Sequence, residues 1–363
     1  MLILKFAFLI FFVLRCLSRN RQKDKSVIII NDEIKTIKSP IHCILAVYFV
    51  LRNELYKTCV QHITKKQSEI HVIVQKNVED TWKTQEKLFS DLSWVEVPSI
   101  FNFINKDEAV IIICKYKDKS KEDGAICERW STSTGENYTK EDVAIDKEVF
   151  NNKNIESYTS HPLKISNKEY FLICGVRYFD YENDSIDNFI SCSASEDKGR
   201  KWTTKILINY KQYKSRMPHS YVKPVVLNDE FGLYFYSRRS TSHSSREYKY
   251  MKCTKDEKHT NDNEYKFNCS DVNVTRSNKI LQNITKLNGH YLTNYILRDN
   301  FKECYLYYSD ENAIVIKPKI QNYNLSGCYE GSFINLNESK SLFIYSTGYG
   351  VQNIHSLYCL KYD

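Results

Sequence analysis

The sequence has little that would hold it in a membrane. After the first residues, its longest apolar stretch, residues 43–51, has nine residues, whereas a spanning helix needs about 20. The chain also lacks an apolar tail, because its last residues include Lys361 and Asp363, and a lipid-anchor signal is therefore not expected. We expect no direct membrane anchor.

Three further features are missing. No Cys-x-x-Cys pair or Cys/His cluster with zinc spacing occurs, and the nine histidines are scattered, so no metal or other cofactor is expected. The net charge of +8 is spread over interspersed charges of both signs without a basic stripe, which argues against a nucleic-acid partner. Long amphipathic helical periods are absent, and residues 79–89 are the best helix candidate, with two turns at most.

The first residues indicate a secreted protein. Residues 2–14 are apolar apart from Lys5, and the basic run 19–25 follows after a short gap. This arrangement is typical of a secretory signal and is too short for a spanning helix. We predict a signal peptide over residues 1–18; the alternative is an uncleaved anchor.

What the sequence does contain is a sixfold repeat. At intervals of about 50 to 60 residues, an apolar segment runs into an asparagine turn and then into a second apolar or aromatic run. The turn asparagines are Asn53, Asn105, Asn167, Asn228, Asn288 and Asn337. Each unit is too small to bury a core alone, so the units must stack, and each has room for about four strands. We predict an all-β, six-bladed β-propeller with four-stranded antiparallel blades, forming a single domain over residues 19–363.

The last repeat also predicts how the ring closes. Its strands near 332–335, 342–345 and 354–360 are followed by the end of the chain, so a fourth strand is missing. Residues 27–30 stand alone before the first repeat and can supply that strand, which would remove two open sheet edges. The alternative is that residues 27–30 form an extra edge strand elsewhere.

The cysteines follow the same repeat. Cys16 leaves with the signal, and in an oxidising compartment the others are expected to form disulfides. One close pair falls in each of the first five units: Cys43–Cys59, Cys114–Cys127, Cys174–Cys192, Cys253–Cys269 and Cys304–Cys328. Each such loop stabilises the fold by about 3 kcal/mol. Connectivity is not determined by sequence, and a β-sandwich with disulfides between distant segments is the alternative. Cys359 is left over, as a buried free thiol or an intermolecular bridge.

One segment matches a known turn motif at every defined position. It is the Asp box Ser-x-Asp-x-Gly-x-x-Trp, formed here by Ser195, Asp197, Gly199 and Trp202. An aspartate at a turn start can accept hydrogen bonds from backbone amides two residues on. The glycine supplies the positive φ of a tight turn, and the tryptophan covers the hairpin.

Weaker copies of the motif occupy the corresponding places in other repeats. Residues 75–82 keep the tryptophan, residues 131–138 keep the serine, the glycine and an aromatic residue, and residues 308–315 keep the aspartate. Asp boxes lie at the periphery of blades. We therefore interpret Asp197 as a turn former rather than a catalytic acid.

Sialidases and related glycoside hydrolases also carry Asp boxes on six-bladed propellers, so catalysis must be weighed. A sialidase needs three arginines that converge on the substrate carboxylate, together with a Tyr–Glu nucleophile couple and an acid. The first repeat lacks the Arg-Ile-Pro signature, and Arg216-Met-Pro218 lies at the wrong point of its repeat. With 27 tyrosines, no single one can be assigned as nucleophile. We expect no enzyme and assign no catalytic residue.

The chain resembles the cysteine-rich protective antigen family of malaria parasites over the whole mature sequence. The segments that carry the resemblance are residues 171–176, 195–205, 278–282, 301–305, 344–346 and 353–355. The resemblance implies a sialidase-like propeller without known catalysis, released from apical secretory organelles (micronemes) to the parasite surface at the invasion interface. It implies a bridge between an EGF-rich interacting protein and a reticulocyte-binding-homologue ligand during red-cell entry. This sequence departs from the family pattern mainly in loops 180–188 and 237–246 and at Cys359.

Two functions follow as hypotheses. The first is an adhesion or scaffold protein, because loops on a rigid scaffold commonly carry binding. Arg238, Arg239 and Arg246 with Tyr248 and Tyr250 form an Arg/Tyr patch of the kind enriched at binding hot spots; the alternative is an ordinary exposed polar loop. The second hypothesis is a lectin that binds sialylated glycans on the same fold without hydrolysing them.

Overall fold

The computed structural model describes most strands of the chain and a few connections between them. The described residues are 25–30, 35–39, 41, 43–62, 70–91, 98–105, 107–116, 125–143, 158–160, 162–165, 168–176, 190–202, 204–209, 218–227, 230–238, 246–255, 264–271, 279–297, 303–309, 325–326, 331–348 and 351–362. The predicted signal peptide lies outside them. Within this part of the chain there is no helix long and apolar enough to cross a membrane.

Strands account for all regular structure in the described residues. Two strands, β1 (Lys25–Ile30) and β2 (Lys35–Lys38), precede the first repeat. Blade 1 contains β3 (Leu45–Leu51), β4 (Glu54–His62), β5 (Ile70–Val78) and β6 (Thr81–Asp91). Blade 2 contains β7 (Ser99–Ile104), β8 (Ala109–Tyr116), β9 (Ala125–Thr132) and β10 (Thr139–Val143), and β11 (Tyr158–Ser160) follows it. Blade 3 contains β12 (Leu163–Ile165), β13 (Lys168–Val176), β14 (Ile190–Ser195) and β15 (Thr204–Asn209).

The second half of the chain repeats this order. Blade 4 contains β16 (Pro218–Leu227), β17 (Glu230–Arg238), β18 (Arg246–Lys255) and β19 (Glu264–Asp271). Blade 5 contains β20 (Lys279–Leu287), β21 (His290–Leu297), β22 (Glu303–Ser309) and β23 (Leu325–Ser326). Blade 6 contains β24 (Gly331–Asn335), β25 (Lys340–Gly348) and β26 (Val351–Tyr362). Successive strands within each blade pair antiparallel, which confirms the predicted six-bladed propeller.

The asparagine turns join the first two strands of the blades, as predicted. Asn53 and Asn288 adopt left-handed backbone angles, with φ of 64° and 46°, which asparagine tolerates better than most residues. Asn105 works differently, because its side-chain Oδ1 accepts hydrogen bonds from the backbone N–H of Asp107 (2.9 Å) and Glu108 (2.7 Å). The Asn337 side chain caps its turn in the same way, through Ser339 N–H at 2.9 Å. The turns with Asn167 and Asn228 lie outside the described residues.

The N-terminal strands close the ring in blade 6, which confirms the closure prediction. Along one edge β26 pairs with β25, and along the other it pairs with β1 and with β2. The fourth-strand position is therefore shared by two strands rather than filled by one. β2 also makes a parallel bridge to β6 at Lys38 and Thr81, so the closing segment pairs with both blade 6 and blade 1.

Four of the five predicted cysteine pairs are joined in the structure: Cys43–Cys59, Cys114–Cys127, Cys174–Cys192 and Cys253–Cys269. Cys328, the partner predicted for Cys304, lies outside the described residues. In blade 1 the bridge links Cys43, just before β3, to β4. It links strands two and three in blades 2 and 3, and strands three and four in blade 4. Every bridge stays within one blade, so the alternative of disulfides between distant segments is wrong for these four.

The hydrophobic core lies between neighbouring blades. One cluster joins blade 6 to blade 1, and three others join blades 1 and 2, blades 2 and 3, and blades 3 and 4. Blades 3 and 4 are also linked at their outer strands, where β15 and β19 pair in parallel. At these four junctions of the described residues, neighbouring blades bury their facing sides against each other, and the core follows the ring.

Two features differ from the sequence analysis. The helix candidate 79–89 is wrong, because most of it forms β6 after a tight turn in which Glu79 and Asp80 have φ of 49° and 60°. Trp82, in that strand, is 1% exposed, so the strand places this large apolar side chain in the core. β11, which pairs in parallel with β7, was not predicted from the sequence.

Candidate functional site

β11 lies on the inner wall of the ring, next to the centre where a propeller ligand would enter. The first strands of the blades form the inner wall, since β3, β7, β16, β20 and β24 have Cα atoms within 8 Å of the first strand of a neighbouring blade. Along its length β11 is hydrogen-bonded to β7, with Thr159 opposite Asn102. It also lies within 8 Å of β3 in blade 1 and β16 in blade 4, which face each other across a six-membered ring. The backbone of β11 therefore lies close to the centre of the ring.

The Asp box forms the turn between β14 and β15. Gly199 N–H donates to Ser195 Oγ at 2.8 Å, and the Ser195 hydroxyl donates to Asp197 Oδ1 at 2.7 Å. The same carboxylate oxygen accepts from the backbone N–H of Arg200 (3.0 Å) and Lys201 (2.8 Å). These amides are three and four residues beyond Asp197 rather than two as expected. Gly199 has φ of +87°, as the turn was predicted to need.

The electrostatics of Asp197 are those of a turn former. Partial burial alone would raise its pKa, but hydrogen bonds from Lys201 N–H, the Ser195 hydroxyl and Arg200 N–H outweigh this and hold the pKa below its usual 3.8. A general acid near neutral pH needs the opposite shift. Asp197 is therefore unsuited to acid catalysis.

The box tryptophan packs against the preceding blade. Trp202 is 4% exposed, donates its Nε1–H to Gly199 O at 3.0 Å and lies 5.9 Å from the Phe103 ring of blade 2. A Cβ on Gly199 would approach Ile112 Cδ1 of blade 2 to 3.1 Å. The predicted cover of the hairpin is thus also a contact between blades 2 and 3.

A fully buried arginine, which the sequence analysis missed, holds the same junction. The Arg129 side chain in β9 is 0% exposed. Its Nε–H donates to Lys198 O of the Asp box at 2.8 Å, and its Nη1 donates to Ser131 Oγ (2.9 Å) and Glu141 Oε2 (3.1 Å). Its Nη2 donates to Glu108 Oε1 at 3.3 Å. Every guanidinium nitrogen is engaged, so Arg129 is not available to hold a substrate carboxylate.

Two further ion pairs extend this network across the junction. Lys198 Nζ lies 2.8 Å from Glu108 Oε2, and Arg200 Nε lies 3.2 Å from Glu141 Oε2. Burial lowers the pKa of Arg129 and the nearby Arg200 adds to this, while the two glutamates oppose the shift. Opposite charges therefore surround the buried guanidinium on the blade 2 side.

A Tyr–Glu pair lies between blades 1 and 2, but it has structural contacts. Tyr56 donates its hydroxyl to Glu54 Oε2 at 2.9 Å, and Glu54 also pairs with Lys76 at 2.7 Å. The Tyr56 side chain is fully buried and abuts Gly135, in the turn of blade 2 that corresponds to the Asp box. Burial, reinforced by Glu54, raises the pKa of Tyr56, which disfavours the phenolate that a nucleophile would need.

The junction between blades 6 and 1 contains a second buried cation. Trp82 Nε1–H donates to Gln352 Oε1 in β26 at 2.8 Å, and Lys57 Nζ lies 4.5 Å from the centroid of the Trp82 ring. Lys57 is 0% exposed and donates to Ser39 Oγ at 3.2 Å. Burial lowers its pKa to about 7. Lys57 was not predicted from the sequence as a buried contact.

The predicted Arg/Tyr patch is only partly within the described residues. Arg238 and Arg246 stand opposite each other at the ends of β17 and β18, and Tyr248 lies further along β18. Arg239 is outside the described residues. Tyr250 is fully buried, so its assignment to an exposed patch is wrong, because its side chain contributes to the blade core.

No metal centre is formed by the part of the chain that the structure describes. Within those ranges, no three His, Cys, Asp or Glu side chains come together to hold an ion. The titratable groups that are buried there, such as Arg129, Lys57 and Tyr56, lie between blades.

Known proteins resemble the chain in family and in fold. The model of the cysteine-rich protective antigen six-bladed domain matches residues 34–354. The ectodomain structure of the parainfluenza virus 5 hemagglutinin-neuraminidase is similar, with a TM-score of 0.54 and 9% identity over 91% of this chain and 84% of the other. An α-L-arabinofuranosidase of Fusarium graminearum is similar too, with a TM-score of 0.51 and 10% identity over 88% and 97%. No curated protein matches the chain in sequence. At such identities, each of these two structures shows only that it shares its fold with this chain.

Proposed function

Because the chain belongs to the cysteine-rich protective antigen family, we propose that it is a secreted, non-catalytic scaffold of the parasite invasion complex. In this proposal it bridges an EGF-rich interacting protein and a reticulocyte-binding-homologue ligand during red-cell entry. It reaches them from the micronemes, at the parasite surface. A rigid ring suits this role because its faces and rim can hold two proteins at fixed positions.

The observation that carries the proposal is the position of β11. Its backbone lies across the inner wall, within 8 Å of blades 1 and 4 and hydrogen-bonded to blade 2. Ligand sites are normally concave, and the mouth of a ring is one such place. A strand so close to the centre leaves less room for a ligand there, which favours the faces and rim of the ring as binding surfaces.

The charged groups also favour a non-catalytic function. Sialidase chemistry needs arginines free to clamp a carboxylate and an activated tyrosine. In this ring Arg129 is saturated by Glu108 and Glu141, and burial raises the pKa of Tyr56. Both residues stabilise contacts between blades.

A ternary assembly tests the bridging function. The full mature chain is mixed with the two recombinant partner proteins, and the masses are measured by size-exclusion chromatography with light scattering. We expect a 1:1:1 complex that is lost when the chain is left out. Binding of the two partners in competition, or of neither partner, would contradict the bridge.

The alternative function, a sialoglycan-binding lectin, needs an accessible centre. A glycan array separates the two hypotheses, since selective binding of sialosides supports the lectin. A matched array of desialylated glycans is the control. The position of β11 favours the scaffold.

A further inference from the structure

Four side chains on one face of blade 1 form a polar cluster against blade 6. Lys57 in β4 stands opposite Gln75 in β5, and Asn77 in β5 stands opposite Trp82 in β6. Directly opposite residues of antiparallel strands share a face. The Trp82 side chain is hydrogen-bonded to Gln352 of blade 6. This face of blade 1 therefore packs against blade 6, where the ring closes.

Within the described residues, the hydrogen-bonding capacity of this cluster is not used up. An ammonium group has three donors, and the one bond of Lys57 goes to Ser39 Oγ at 3.2 Å. Gln75 Oε1 and Asn77 Nδ2 are buried and have no hydrogen-bond partner. Such groups are costly to bury, and buried polar groups without a protein partner commonly mark an ion or a water.

The donors lie on the same face of blade 1. Gln75 Nε2 lies 3.5 Å from Thr84 Oγ1, and the two ends of an amide are exchanged by a simple flip. In the flipped form the Thr84 hydroxyl donates to Gln75 Oε1, and Nε2–H is free to bind elsewhere. Lys57, Gln75 and Asn77 then offer donors and a positive charge from neighbouring positions.

The charge of Lys57 also lacks a counter-ion. The groups around it are Ser39 after β2, Tyr48 in β3, Gln75 in β5 and Trp82 in β6. No acidic side chain of the described residues lies within ion-pair distance of Nζ. Burial alone lowers the pKa of Lys57 to about 7, so its ammonium form is populated at and below neutral pH.

We propose that the junction between blades 6 and 1 holds a small inorganic anion, such as chloride or bromide, on Lys57 Nζ and the side-chain amides of Gln75 and Asn77. Lys57 and Gln75 are both 0% exposed, so only a small ligand suits the site. The anion supplies the negative charge that the site lacks and ties the closing segment to blade 1. It binds only to the closed ring and therefore stabilises it.

Anion binding is coupled to protonation of Lys57. Only the ammonium form attracts the anion, so its affinity falls about tenfold for each pH unit above the pKa. The stabilisation should be large at pH 6 and small at pH 9. This pH dependence distinguishes the site from general screening of surface charge, which acts at any pH.

The test is thermal unfolding of the full mature chain in bromide and in gluconate, a much larger anion, at equal ionic strength. At pH 6 we expect bromide to raise Tm by about 2 °C over gluconate, and at pH 9 we expect no difference. Lys57→Met should abolish the bromide effect. Lys76→Met, which removes the lysine paired with Glu54 on the other face of blade 1, should retain it. An equal bromide effect in wild type and Lys57→Met, or none in wild type, would overturn the proposal.

A second measurement applies even if Lys57→Met fails to fold. Crystals of the wild-type protein grown at pH 6 in bromide should show anomalous bromine scattering within about 3.5 Å of Lys57 Nζ. Water alone at this position would overturn the anion site.

Discussion

The junction between blades 2 and 3 and the junction between blades 6 and 1 each bury a cation, but they treat it differently. Arg129 has two glutamates, a serine and a backbone carbonyl around it. Lys57 has a serine hydroxyl and the face of Trp82. Both side chains are completely buried. The first junction satisfies its charge within the protein, and the second does not.

The difference follows from how each junction is built. The charged residues between blades 2 and 3 come from strands and hairpin turns of two blades that are consecutive in the chain. Blades 6 and 1 are joined by segments from the two ends, where β2 meets β26. A buried ion pair is weak support for stability, whereas removing one partner is costly. We infer that the junction between blades 2 and 3 is stabilised by its own ion pairs. We also infer that the stability of the junction between blades 6 and 1 depends on pH.

The largest expected effect is that of Arg129→Met, which removes the buried ion pairs between blades 2 and 3. The substitution keeps bulk but leaves Glu108, Glu141 and Lys198 O without their shared donor. We expect the free energy of unfolding to fall by about 4 kcal/mol, measured by urea denaturation. Arg129→Lys should recover part of the loss, and an unchanged denaturation midpoint in Arg129→Met would remove the basis for the comparison.

A smaller effect, with a distinct pH dependence, is expected for Lys57→Met. Between pH 7 and the ordinary lysine pKa of 10.5, the unfolded chain binds a proton that the folded chain does not. This group therefore makes the free energy of unfolding rise with pH in that range. In gluconate, the wild type should gain about 3 kcal/mol relative to Lys57→Met between pH 7 and 9.5. The difference is read from urea denaturation at each pH, and a constant gap would show that Lys57 has its ordinary pKa.

The smallest effect is expected for Asp197→Ala in the Asp box. The carboxylate accepts two backbone hydrogen bonds and one from Ser195, so its loss should cost about 1 kcal/mol. The lowered pKa means that this contribution is present above pH 3.8 and is lost as the pH falls through the shifted value. Asp197→Asn should retain more of it. Partner binding per folded molecule should stay unchanged, and weaker binding at full stability would make the box an interface.

The repeat itself could be predicted from the sequence because its signals are local. Asparagine turns need particular backbone angles or side-chain caps, as at Asn53 and Asn105. The Asp box is a contiguous segment, and cysteines that bridge adjacent strands lie close in the sequence. Ring closure could be predicted because one strand was missing in the last repeat and one was left over at the start.

The junctions could not be predicted in the same way, because they join residues that are far apart in the chain. Trp82 and Gln352 are 270 residues apart, and no local pattern pairs them. A usable signal exists all the same. Arg129 lies two residues after Cys127, and Lys57 lies two before Cys59, so each shares a strand face with a buried disulfide cysteine.

β11 could not be predicted from the sequence for a similar reason. It is three residues long and pairs with β7, which lies much earlier in the chain. Short strands of this kind have no periodicity of their own. The consequence for function is large, because this strand lies close to the centre, where a propeller ligand would bind.

The central claim is that the surfaces of the ring bind partners and its centre does not. It is tested by incubating the protein with a fluorogenic sialoside and then titrating it with unlabelled sialic acid. We predict no release of fluorophore and no saturable binding, with a sialidase of the same fold as the positive control. Turnover, or saturable binding that competes with the sialoside, would contradict the account.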